Sequence, residues 1–119
     1  MANLTAGEVL SQVDALLPNQ YTAAEKLHWL EQAEGFVKRE ILQMRGELPS
    51  ISSETVLTVP SPYDEMYRHY VEAQIHYANA EMTRYNNASI AWNNAFLTYR
   101  DYCCRTALPR RRITALRLR

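Results

Sequence analysis

A chain of 119 residues is long enough for one hydrophobic core and too short for two, so a single folded unit is expected. Its apolar fraction of 47% and charged fraction of 22% exclude a disordered or fibrous chain. Formal charge is zero but unevenly placed: residues 1–104 hold seven Lys or Arg against thirteen Asp or Glu, whereas residues 105–119 hold six Arg and no acid. An acidic body joined to a basic tail implies that the tail meets something negative, either nucleic acid, a membrane surface or the acidic face of a neighbour.

The opening residues lack a basic segment followed by an apolar run, and no stretch of some 18 apolar residues occurs, so a cytoplasmic chain without a membrane partner is expected. Thr5 and Glu8 match a capping box, and Val9, Leu10, Val13, Leu16 and Leu17 follow at helical spacing until Pro18. A second box, Thr22 with Glu25, opens a longer helix with Leu27, Leu30, Val37 and Ile41 on one face, ending at Gly46. The short connection between them makes the pair a helical hairpin. Residues 47–62 contain three Pro and four Ser, which excludes regular helix, although residues 55–59 suit one short extended piece. A loop of about sixteen residues is long for a compact domain and is expected to wrap the core or touch a partner.

Residues 63–108 contain neither Gly nor Pro. Val71, Ala78, Tyr85, Trp92 and Tyr99 recur every seven residues, with Ile75, Met82, Ser89, Phe96 and Cys103 in a parallel row. Two such rows form one seam, which predicts one long C-terminal helix in which Asn86, Asn87, Asn93 and Asn94 allow a bend. The fold class expected is therefore all-α: a helical hairpin plus a long helix, with an extended loop and an extended basic arm. The helical unit covers residues 1–108 and the arm residues 109–119.

Some forty helical residues would span about 60 Å, longer than a domain of this size is wide, so part of that helix should project. Seven of the eight Tyr lie between Tyr63 and Tyr102, and rings with one polar end suit half-buried surfaces and interfaces. Tyr85, Trp92, Phe96 and Tyr99 are thus candidate subunit-contact residues, covered most simply by identical subunits. In the tail, Arg110, Arg111 and Arg112 precede Ile113, and Leu116 and Leu118 alternate with Arg117 and Arg119. Such a segment can add to a neighbour's edge while its guanidinium groups pair with carboxylates or phosphates, against the alternative of a frayed terminus.

No catalytic motif stands out. Cys103 and Cys104 are adjacent and have no His near them, and Gly7, Gly35 and Gly46 are isolated, so neither an activated nucleophile nor a phosphate loop is indicated. Glu65, His69, Glu72 and His76 share a helical face, but only Glu25 with His28 has the Glu-x-x-His order of helical di-metal sites, and ion pairing on a solvated face is the plainer reading. No metal, cofactor or catalysis is expected.

The block YDEMYRHYVEAQIHYANAEMTRYNNASIAWNNAFLTYRDYCCR, preceded by LTVPSP, resembles head-tail connector proteins of long-tailed phages and prophages. The segment TAGEVLSQVDALLPNQYTAAEKLHWLEQAE is similar to the opening of the same small helical proteins, so the likeness spans about residues 5–105. It rests on helix order, on Tyr85, Asn86 and Asn87, and on aromatic spacing. The resemblance implies a head-completion or adaptor protein of the virion, made in the bacterial cytoplasm. Such a protein forms a ring of twelve copies beneath a portal protein, meets a tail or head-closure protein, and continues the channel through which DNA passes. By the same analogy Arg110 to Arg119 is the portal-binding arm. Two rivals remain: a small helical nucleic-acid-binding regulator that uses the Arg-rich tail, and a di-metal carboxylate bundle that uses Glu25, His28, Glu65 and His69.

Overall fold

The computed structural model describes residues 3–106. These form α1 (Ala6–Leu16), α2 (Ala23–Phe36), a π-helical turn (Val37–Ile41), α3 (Glu65–Ala78) and α4 (Met82–Thr106). The architecture is all-α, and no described helix is long and apolar enough to cross a membrane.

Both expected capping boxes start their helices. Thr5 Oγ1 accepts from the Glu8 amide and Glu8 returns a bond to the Thr5 amide at 2.8 Å, and Thr22 and Glu25 repeat the arrangement. Two further free amides of α1 are met from the long loop, Ala6 by the Thr55 carbonyl and Gly7 by Ser53 at 2.8 Å. Glycine eases that approach, since a Cβ at Gly7 would sit 3.0 Å from the Ser53 oxygen and press the loop outward by a few tenths of an ångström. The α1–α2 pair is tied by Lys26, whose buried ammonium lies 2.6 Å from Asp14 and holds that carboxyl below its ordinary value.

The helical stretch beginning with α2 stops before Gly46. It widens into the π turn, where the Leu42 amide reaches Val37, and Gln43 then turns left-handed at φ 58°. Arg39 covers the freed carbonyls of Met44 and Gly46. Residues 42–64 wrap the core, as the loop's length suggested. Leu57 and Val59 are buried, Asn3 holds the Leu57 and Thr58 carbonyls, and the extended piece is a single antiparallel bridge between Thr5 and Val56.

The long C-terminal helix is the expectation that the structure corrects. It divides at residues 79–81, upstream of the asparagines, and α4 runs unbroken through all four of them. The Glu81 amide bonds the His76 carbonyl at 2.9 Å and the Ala80 amide bonds Tyr77 at 3.0 Å, with Ala80 at φ 62°, which is a Schellman stop. His76 Nδ1 to Glu81 Oε1, 2.9 Å, clamps the turn from the side. The chain then reverses. Tyr77 meets Tyr85, Tyr70 meets Trp92 and Tyr63 meets Tyr99, stepping down seven on one limb as they step up seven on the other. A hairpin of facing helices therefore carries the same sevenfold spacing as a single rod, and the periodicity could not separate the two.

Ala80 occupies a left-handed position that costs a residue with a Cβ about 1 kcal/mol relative to glycine. Ala80→Gly is accordingly expected to raise the unfolding free energy by about 0.5 to 1 kcal/mol, read as a higher urea midpoint at unchanged slope. A lower midpoint would mean that the limbs are not joined by this turn.

α3 lies between the α1–α2 pair and α4, and buries Met66, Tyr67, Val71, Ala73 and Ile75. The core gathers Met66, Tyr67, Val71 and Ile75 with Val9, Val13, Leu30, Val37 and Ile41.

Candidate assembly surface

α4 has a ring-bearing inner face and an open outer one. On the inner face Trp92 lies 5.0 Å from Tyr70, 5.2 Å from Phe96 and 6.2 Å from Phe36, centroid to centroid. Tyr99, the one buried residue of α4, stands 5.6 Å from Tyr63, and burial raises its phenol well above the ordinary value. Tyr85 and Phe96 are half-buried. All four candidate contact residues thus find partners inside the chain, and the lone projecting rod that made them seek a neighbour does not form.

The outer face is another matter. From Tyr85 to Tyr99 the sequence has no charged residue, yet Asn86, Asn87, Ile90, Asn93 and Asn94 are exposed, Ile90 by 60%. At 3.6 residues per turn they gather with half-buried Leu97 on the side away from α3. The signal for them is a repeat: NNASIAW and NNAFLTY follow one another directly, so each seven-residue unit supplies an Asn pair, one outward aliphatic residue and inward rings, Trp92 in the first and Phe96 with Tyr99 in the second. Solvated helix faces ordinarily carry Lys, Arg, Asp and Glu, and it is contact surfaces that are depleted of them. A second feature missed in the sequence is Phe36, 46% exposed, which edges a shallow groove where Leu48 and Tyr70 lie beside Gln32, Arg39 and Glu40.

The candidate metal residues are engaged locally. Glu25 caps α2, His28 is 3.5 Å from Gln32, and Arg68 holds both Glu65 and Glu72. His69 is pushed toward its neutral form by burial. Among the described residues no three His, Cys, Asp or Glu groups are placed to hold a metal ion. The arm residues, Arg110 to Arg119, lie outside the described residues. Comparison with protein-family models, with curated proteins and with solved structures finds no match to this chain.

Proposed function

We propose that this protein is a structural component of a phage or prophage virion, a head-tail connector whose ring joins a portal to a tail and continues the DNA channel. The likeness of residues 5–105 to such proteins supports the reading, and one geometric observation carries it. Tyr63, at the entry to α3, packs against Tyr99 and Tyr102 at 5.6 and 4.8 Å, so the last turn of α4 lies beyond the start of α3. The described body is rich in acid, and the sequence that follows Thr106 at the end of α4 holds five Arg and no acid. An acidic body repels DNA phosphates and suits a wall along which DNA slides, while a basic segment that follows it suits docking on carboxylates.

Co-expression with a portal protein of a long-tailed phage tests this. Rings seated on the portal are expected by electron microscopy, with docking lost and helicity kept when residues 107–119 are removed. A chain that ignores the portal would sink the proposal. Steeply salt-dependent binding to duplex DNA by the isolated subunit, abolished by the same truncation, would replace it with the regulator reading.

A further inference from the structure

We infer that two copies of this chain exchange α4: the turn at residues 79–81 straightens into helix, residues 65–106 become one rod, and α4 of each copy packs on α3 of the other. The register of the rings is the first reason. Tyr63, Tyr70 and Tyr77 face Tyr99, Trp92 and Tyr85, and each facing pair is centred on residue 81. Two unbroken helices laid antiparallel, with residue 81 against residue 81, therefore restore all of these pairs between chains. The rings are also in phase for it. Tyr99 follows Tyr63 by about ten turns of an unbroken helix, on which all six rings stay within about 40° of one line. A hairpin asks each limb to be in phase with itself, whereas only a rod asks the two limbs to be in phase with each other.

The link between the limbs is built to straighten. It consists of Asn79, Ala80 and Glu81, with neither Gly nor Pro, and Ala80 at φ 62° holds a conformation that its Cβ disfavours. Ala and Glu are good helix formers, so a continuous helix relieves that strain and adds backbone hydrogen bonds. α4 is also separable. Among the described helices it packs on α3 and touches the rest only at Phe36 and the π turn, so an identical α4 can take its place with each contact kept. That selects the occupant, since the surface that sets an indole between Tyr70 and Phe36 is another α4. Two things oppose exchange. The tether holds α4 beside its own α3 at an effective concentration on the order of millimolar, and the clamp from His76 to Glu81 is lost, because those residues stand on different sides of a continuous helix. Relief of two left-handed turns, about fivefold each, brings the expected midpoint of dimerisation to on the order of a tenth of a millimolar or below. A two-fold exchange closes on itself and cannot propagate round a ring, so this dimer and a connector ring are separate states, and either can fail without the other.

Spin labels on Glu65→Cys and Arg100→Cys, in a full chain carrying Cys103→Ser and Cys104→Ser, provide the test by pulsed electron resonance. Unlabelled chain in excess ensures that only pairs within one chain are read. Both labelled sites are exposed. In the hairpin the labels lie near each other, because Tyr63 packs on Tyr99, whereas on the rod they stand about 50 Å apart. The long distance is expected to grow with total concentration, in step with dimer mass by sedimentation equilibrium. Ala80→Gly is expected to lower the association constant about a hundredfold, since glycine both relaxes the turn and weakens the helix at each of two hinges. Glu81→Ala is expected to raise it, by removing the clamp and the like charges that meet at the axis. A short distance at every concentration, a dimer whose labels stay close, or a dimer that Ala80→Gly fails to weaken or Glu81→Ala fails to strengthen would each overturn the proposal.

Discussion

Glu34→Ala is expected to lower the unfolding free energy by about 4 kcal/mol, a large share of the stability of a domain this size. Glu34 is only 2% exposed, and its carboxyl is where three parts of the chain meet. One oxygen accepts from the Thr58 amide at 3.0 Å and from the Thr58 hydroxyl at 2.9 Å. The other accepts from the buried Tyr67 hydroxyl, whose own oxygen takes the Val59 amide at 3.1 Å. Burial first, and the neighbouring Glu34 carboxyl second, push the Tyr67 phenol far above its ordinary value, so it remains a donor at any working pH. Removing the carboxyl strands the fully buried Tyr67 hydroxyl and takes their acceptor from the half-buried Thr58 amide and hydroxyl, at about 1 to 3 kcal/mol for each of the two sites. Tyr67→Phe alone is expected to cost about 2 kcal/mol. The double variant should cost less than the sum of the two, because both remove the same bond. Urea unfolding followed by circular dichroism measures all three, and a loss below about 1 kcal/mol for Glu34→Ala would mean that the network does not hold the loop to α2 and α3.

Trp92→Ala should cost about 3 kcal/mol, a magnitude that separates a folded-back hairpin from a lone rod. In the hairpin the half-buried indole fills the angle between Phe36 at the end of α2, Tyr70 on α3 and Phe96 on its own helix, and its loss removes its contacts with three rings. On a projecting rod the same change would leave monomer stability within about 0.5 kcal/mol. Ile90→Ala, on the opposite face of α4, serves as the comparison: Ile90 is 60% exposed, so its truncation should hardly move the monomer's unfolding midpoint. Equal effects at the two positions would contradict the placement of α4.

The helix starts at Thr5 and Thr22 were legible because a capping box is a local device, with donor and acceptor three residues apart. The loop was legible from its Pro and Ser content, and so was the need for the rings to be covered. The outer face of α4 is present in the sequence as a repeat, but Asn is a weak helix former, so the same pairs fit a bend as well as an open helix face. Glu34 and Lys26 gave no local sign. Each lies among ordinary helix-forming residues, and their partners, Tyr67 and Thr58 for one and Asp14 for the other, are fixed by packing between segments.

By itself the sequence determined that this chain is helical, where its first two helices begin, and that the segment after Gly46 is not helix but a long connection. Those features depend on spacings of three to seven residues, within which local hydrogen bonding and hydrophobic periodicity act. Only the tertiary structure decided that the C-terminal segment is two limbs, since sevenfold spacing serves a rod and a hairpin equally. The left-handed turn sits on Ala80 instead of a telltale glycine. It is held there because packing Tyr63 against Tyr99, and Tyr70 and Phe36 against Trp92, offsets about 1 kcal/mol of backbone strain several times over.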